Sequence, residues 1–154
     1  MVEEKSSPKK EKKKKIKRSK SKKVFVAKGK RKSSIARATI KEGKGMIRIN
    51  SKGMQSYNTN KYVQEIIREP LLFLGNEVST IDISVNVHGG GVMGQAQAAR
   101  TAIANALALY FDEQKLKEKF THADRSLIVS DSRRVESKKY KGPKSRARYQ
   151  KSYR

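Results

Sequence analysis

One stretch of the sequence has residue types and spacing that could bind phosphate. Residues 89 to 94 read Gly-Gly-Gly-Val-Met-Gly, which satisfies the G-x-G-x-x-G pattern of dinucleotide-binding turns. In such turns the glycines let the backbone approach a pyrophosphate, and the free N–H groups of the following helix stabilise its charge. This chemistry requires a buried parallel strand before the glycines and a helix after them.

The residues on either side of these glycines predict a strand and a helix, but not that kind of strand. Residues 80–88 alternate strictly, with four apolar side chains on one face, Ile81, Ile83, Val85 and Val87. Such a strand is buried on one face only, whereas a dinucleotide-binding strand is apolar throughout. The acidic residues about 20 positions on, Asp112 and Glu113, fall at the end of the predicted helix rather than after another strand. The pattern therefore argues against a nucleotide cofactor.

We interpret the glycines as the corner at which the strand turns into a helix packed close to the sheet. The residues assigned to this corner are Gly89, Gly90, Gly91 and Gly94. No Ser, Thr, Asp or Asn precedes the helix as a cap, so its first N–H groups could also bind an RNA phosphate. A small kinase-like enzyme that uses this turn for nucleotide phosphates is the alternative interpretation.

Other residue types offer little for catalysis or metal binding. The chain has no cysteine and two histidines, His88 and His122, too few for a metal cluster. No Ser or Thr is spaced with a His and a carboxylate as a nucleophilic site would require. We therefore expect no enzyme activity, cofactor, metal or small-molecule substrate. We also expect no membrane segment, because no apolar run is long enough.

Net charge is the strongest compositional signal. The 154 residues carry 38 Lys and Arg against 14 Asp and Glu, a net charge of +24. Such an excess indicates a polyanionic partner, for which nucleic acid is the default. Residues 1–23 hold 12 basic and 3 acidic side chains, and residues 131–154 hold 10 and 2. Both ends are poor in apolar residues, and we expect them to be disordered tails when unbound.

Between these tails, residues 24–130 predict an α+β body. Alternating or short apolar runs predict strands over 24–27, 35–41, 46–50 and 80–88, with a basic connection over 29–34. The glycine-containing turn over 42–45 predicts that the second and third strands form a hairpin. Helices are expected after residue 60, after the glycine corner and over 112–120. The resulting fold is a four-stranded mixed sheet with helices on one face, in the order strand, strand, strand, helix, strand, helix.

Three blocks of the sequence resemble one family closely. They are Gly29 to Ala38 (GKRKSSIARA), Val87 to Ala104 (VHGGGVMGQAQAARTAIA) and Asp131 to Lys139 (DSRRVESKK). Together they resemble the ribosomal small-subunit protein nine family, in its archaeal or eukaryotic form. The resemblance covers residues 24–154 in the family's order and leaves the lysine-rich residues 1–23 outside.

This resemblance implies a structural protein of the cytoplasmic ribosome. It implies a fold like the second domain of ribosomal small-subunit protein five, bound in the head of the small subunit to ribosomal RNA and neighbouring ribosomal proteins. It also implies a C-terminal tail that reaches the peptidyl-site transfer RNA through its last residues, here Ser152, Tyr153 and Arg154. Bacterial members end in Lys-Arg, so Tyr153 replaces a charge contact by a ring that could stack.

The basic residues of these blocks, with three more that follow the third block, are the expected contacts to ribosomal RNA. In the body they are Lys30, Arg31, Lys32, Arg37 and Arg100. In the tail they are Arg133, Arg134, Lys138, Lys139, Lys144, Arg146 and Arg148. The tail also interleaves three tyrosines with its cations, so that phosphate neutralisation and base stacking can occur along one segment. A chromatin-type DNA-binding protein would share the basic tails and is the second alternative.

Overall fold

A computed structural model describes residues 23–111 and 114–152. The predictions for the N-terminal arm, for residues 112 and 113 of the last helix, and for Tyr153 and Arg154 lie outside these ranges. Strands β1 to β4 are Val24–Arg31, Ser34–Glu42, Ile47–Ile49 and Lys52–Gly53, followed by helices α1, Met54–Tyr57, and α2, Lys61–Leu72. The 3-10 helix Gly75–Thr80, strand β5 (Ile81–His88), helices α3 (Val92–Tyr110) and α4 (Gln114–Ala123), and the 3-10 helix Arg125–Leu127 complete the order.

The fold is the predicted α+β class, with a mixed sheet that has one strand more than expected. Its order is β1-β2-β5-β3-β4. Strands β1, β2 and β5 are antiparallel neighbours, and β3 runs parallel to β5. Helix α3 crosses one face of the sheet, and α2 and α4 pack against α3. The fifth strand, β4, contains two residues.

The predicted hairpin between the second and third strands is wrong. Strand β5 lies between β2 and β3, because β2 and β5 offer each other eight residue pairs with matching buried side chains, whereas β3 has three residues. The turn after β2 is held by the start of β5. The Asp82 carboxylate accepts hydrogen bonds from the backbone N–H groups of Lys44 and Met46, at 2.8 and 3.1 Å.

The predicted basic connection between the first two strands is mostly strand. Residues 29–31 continue β1, so that the turn to β2 contains only Lys32 and Ser33. Lys32 adopts a φ of 53° there. This short turn places the basic residues of the first block on a hairpin, in which successive side chains of each strand point to opposite faces of the sheet.

The glycine corner is confirmed. Strand β5 alternates between buried and exposed side chains as predicted, and Gly89 and Gly90 follow it with φ angles of +74° and +63°. Helix α3 then begins at Val92, with Gly91 as an N-cap that provides no side-chain hydrogen bond. The Ser34 hydroxyl donates to the Gly89 carbonyl at 3.1 Å, which ties the corner to β2.

Helix α3 is buried on several faces rather than along a single stripe. Ten of its 19 residues are buried, including consecutive alanines and Ile103. The sheet covers one side of α3, while α2, α4 and the 3-10 helix at Arg125–Leu127 cover others. Small side chains on several faces let all these elements approach the helix.

Candidate nucleic-acid interface

The five basic residues predicted in the body separate onto different sides of the sheet. Lys30 and Arg37 are exposed on the face that α3 does not cover, and Lys32 is exposed in the hairpin turn. Arg31 and Arg100 lie on the helical side, where both line a polar cleft of about 140 Å³ to which Lys30, next to Arg31 at the end of β1, also contributes. The structure therefore does not bring the five residues together as one patch.

Arg31 connects the end of β1 to helix α3 and to the root of the tail. Its side chain is 17% exposed and forms an ion pair with Asp131. Its Nε donates to the Gln97 side-chain oxygen at 2.7 Å. The same Asp131 carboxylate accepts from Arg133 at 2.7 Å, so one acidic residue pairs with two arginines.

Arg100 is engaged with two acidic residues. It donates to Glu69 of α2 at 2.6 Å, to Asp124 at 3.2 Å and to the Ser126 hydroxyl. The pKa of Asp124 is lowered from its usual value, first by the hydrogen bond from the Ser126 hydroxyl and also by its backbone N–H and by Arg100, against an opposing effect of burial. In the isolated protein, Arg100 therefore connects α2, α3 and the segment that follows α4.

Polar residues of α3 fix the segment that leads into the tail. The Thr101 hydroxyl donates to the Ser126 carbonyl at 3.2 Å, and the Asn105 amide donates to the Ile128 carbonyl at 3.2 Å. Together with Gln97 and Arg100 they form a polar strip along the helix, in which successive members are three, one and four residues apart. Sequence reasoning missed Gln97, Asn105 and Asp131; the polar spacing within an alanine-rich helix was the available signal. The tail consequently leaves the body from a defined position.

Replacing Arg100 with methionine should lower the free energy of unfolding by about 1–2 kcal/mol. The change keeps an apolar stem but leaves Glu69 and Asp124 without their shared cation. Their side chains are 36% and 42% exposed, so water reduces the cost below that of fully buried carboxylates. Urea denaturation measures the effect. Arg68→Met on α2, where the described residues show no ion pair, is the control; equal stability of the two variants would contradict the role of Arg100.

Beyond Asp131, the described part of the tail has no helix or strand and points its cations outward. Residues 132–140 are all exposed. Glu136 lies within 3.1 Å of Lys139 and accepts from Arg146 at 2.9 Å. These contacts, led by the one with Arg146, lower the pKa of Glu136. They close a local loop without enclosing Arg134, Lys138, Lys144 and Arg148, which stay exposed, as does Ser152.

The two tail tyrosines in the described ranges are also exposed to solvent. Tyr140 is 90% exposed and Tyr149 is 62% exposed. The Lys141 ammonium group lies 5.6 Å from the centre of the Tyr140 ring. Rings and cations thus alternate on an accessible segment, the arrangement that suits both phosphates and unpaired bases.

The glycine corner lacks the surroundings of a dinucleotide site. Strand β5 runs antiparallel to β2, and one face of the sheet is uncovered, unlike the doubly covered parallel sheet of such folds. The Gly89 carbonyl accepts from Gln95 at 3.1 Å as well as from Ser34.

Within residues 23–111 and 114–152, no group of His, Cys, Asp or Glu could hold a metal ion. No helix in these ranges has the length and apolar character to cross a membrane.

The fold and its charges define a small basic α+β protein that presents cations on an open sheet face and an exposed tail. Residues 29–154 match the family described as Ribosomal protein S9/S16, and the chain belongs to that family. It is 46% identical over 136 residues to Small ribosomal subunit protein uS9 of a strain of Methanococcus maripaludis, covering 86% of this chain and 99% of the relative. The uS9 protein of Methanothrix thermoacetophila is 46% identical over 132 residues with the same coverage.

Membership in this family makes the protein a structural constituent of the small ribosomal subunit and not an enzyme. Ribosomal RNA and other subunit proteins are the partners that this role implies. The ribosomal assignment replaces both alternatives considered from the sequence, the DNA-packaging protein and the nucleotide-binding enzyme. The archaeal relatives also agree with the archaeal or eukaryotic form of the resemblance.

Proposed function

We propose that the protein binds ribosomal RNA in the head of the small subunit and that its tail reaches the peptidyl-site transfer RNA. The body contacts RNA through Lys30, Arg31, Lys32, Arg37 and Arg100. The tail adds Arg133, Arg134, Lys138, Lys139, Lys144, Arg146 and Arg148. Ser152, Tyr153 and Arg154 contact the transfer RNA.

The exposed cationic tail is the observation that carries this proposal. Its root is anchored by Asp131 to Arg31, and every described residue over 132–140 is exposed. A segment of this composition neutralises phosphates by releasing their counterions. From residue 141 to the end, the chain could span up to about 45 Å when extended, enough to leave the body and pass between RNA helices.

Two classes of contact follow from the geometry of the body. Lys30, Lys32 and Arg37 are exposed and need no rearrangement to meet a phosphate. Arg31 and Arg100 act from the cleft that they share with Lys30 and Arg133. Their acidic partners fix the orientation of the guanidinium groups.

Deletion of Arg154 should leave subunit assembly nearly unchanged and weaken peptidyl-site transfer RNA binding by roughly tenfold or less, as expected for the loss of one phosphate-directed hydrogen-bonding cation. Small subunits carrying the deletion would be purified, and transfer RNA binding would be measured by filter retention. Arg154→Lys is the matched control, since it keeps the charge and should restore most of the affinity. Equal transfer RNA occupancy with and without residue 154 would refute the contact.

A further inference from the structure

The face of the sheet that the helices leave open carries several exposed cations. Lys28 and Arg37 are exposed on this face and occupy directly opposite positions of β1 and β2. Arg48 is exposed on β3 and is paired with Ser84 of β5. In residues 23–111 and 114–152, no salt bridge involves any of these three cations.

A like-charged pair directly across two strands is unfavourable in the free protein. Here Arg37 has Asn86 as its neighbour on the other side, which brings no negative charge. The unfavourable charge density is relieved when an anion lies between the side chains. The arrangement therefore favours a negatively charged partner over bare solvent.

The open face also has the shape of a groove. A cavity of about 480 Å³ lies above β5, with Thr39 and Lys41 on one side and Met46 and Arg48 on the other, and with Asp82 and Ser84 of β5 between them. Lys28 and Arg37 lie outside its lining, on the same face of the sheet. The acidic residue of this region, Asp82, already accepts two backbone hydrogen bonds from the turn after β2.

We propose that the open face binds a segment of RNA backbone along this groove, with Arg48 in the groove and Lys28 and Arg37 beside it on the same face neutralising its phosphates. The inference rests on the proposed binding of ribosomal RNA and assigns it a second surface, separate from the tail. Protein interfaces are depleted of charged residues in their cores, whereas exposed cations lie on three strands of this face, β1, β2 and β3. None of the exposed side chains described on this face is Phe, Tyr or Trp, so recognition is directed at phosphates rather than stacked bases.

The test is a triple variant, Lys28→Gln, Arg37→Gln and Arg48→Gln, in the full chain. Its affinity for small-subunit ribosomal RNA is measured by filter binding between about 50 and 200 mM salt. The slope of log affinity against log salt should become shallower by about 2–3, the value for three lost phosphate contacts. Its Tm should match or exceed that of the wild type, because the like-charged pair is removed.

The matched control removes three exposed lysines from the helices, through Lys61→Gln, Lys115→Gln and Lys119→Gln. This variant has the same net charge, and its salt slope should stay close to that of the wild type. If the wild type binds RNA and the triple open-face variant keeps the wild-type salt slope, RNA binding at the open face is refuted but the proposed function is not. Absence of salt-dependent RNA binding by the wild type would overturn both.

A second measurement locates the RNA directly. The natural chain has no cysteine, so Ser84→Cys provides a single attachment point on the groove floor for iron-EDTA. Hydroxyl radicals from this position should cleave bound ribosomal RNA, and Glu118→Cys on α4 serves as the comparison. Loss of subunit incorporation by the triple variant with unchanged RNA affinity and no cleavage from residue 84 would assign the face to a protein partner and refute the proposal.

Discussion

Replacing Gly29 with valine is expected to lower the free energy of unfolding by about 3 kcal/mol or more. Gly29 lies on β1 against helix α3, where a Cβ atom would collide with the carbonyl oxygen of Ala98 and lie 2.5 Å from the backbone nitrogen of Ala102. Backbone atoms cannot rotate away as the end of a flexible side chain can. Strand and helix would have to separate, and the core between them would open.

The effect is measured by chemical denaturation of the purified variant, extrapolated to water. Gly53→Val is the matched control, because a Cβ atom at Gly53 would have no atom of the described residues 23–111 and 114–152 within 4 Å, apart from its own chain neighbours. That control should change the free energy of unfolding by less than about 0.5 kcal/mol. Similar stability of the two variants would show that α3 does not need this close approach.

Neutralising the tail should have the largest effect on RNA binding. If the tail makes about six phosphate contacts, wild-type affinity for folded ribosomal RNA should fall roughly a thousandfold between about 50 and 200 mM salt. The variant changes to glutamine the residues Arg133, Arg134, Lys138, Lys139, Lys144, Arg146 and Arg148. The affinity of this variant should depend much less on salt, because only the body and the remaining cations still release counterions when RNA binds.

The control exchanges Arg for Lys and Lys for Arg at the same seven positions. Net charge is preserved, so the salt slope should be retained even where bidentate arginine geometry is lost. Filter binding over the salt series measures both variants. A wild-type affinity that does not change with salt would contradict the electrostatic role of the tail.

The sequence predicted the corner at residues 89–94 well because the signals are local. Alternation over 80–88 requires burial of one strand face, and consecutive glycines permit the positive φ angles found at Gly89 and Gly90. The same local patterns identified the α+β class and the basic tail. They located the strands of the sheet, apart from the two-residue β4.

Strand pairing was less predictable than strand position. A glycine turn over 42–45 favours a hairpin between neighbours in sequence, but β5 occupies the place beside β2. The longer ladder with β5 buries more side chains than β3 could. The pairing of β2 with β5 depends on whether the buried side chains of two distant segments align. Local periodicity carries no information on that alignment.

The partners of the basic residues were also outside what the pattern could show. The sequence does not distinguish between the three arginines Arg31, Arg37 and Arg100. In the fold, Arg31 meets Asp131 and Arg100 meets Glu69 and Asp124, while Arg37 faces Lys28 on the open face. Sequence spacing could not predict that Arg31 and Asp131, 100 positions apart, form an ion pair.

The sequence by itself determined the kind of partner, the family and the local elements. Charge, strand alternation and glycine placement are properties of single residues and their near neighbours, so they are readable without coordinates. Only the tertiary structure decided which cations form internal ion pairs and which are exposed without one. That decision depends on burial and on distances between remote side chains, which exist only after β1, α3 and the root of the tail have packed together.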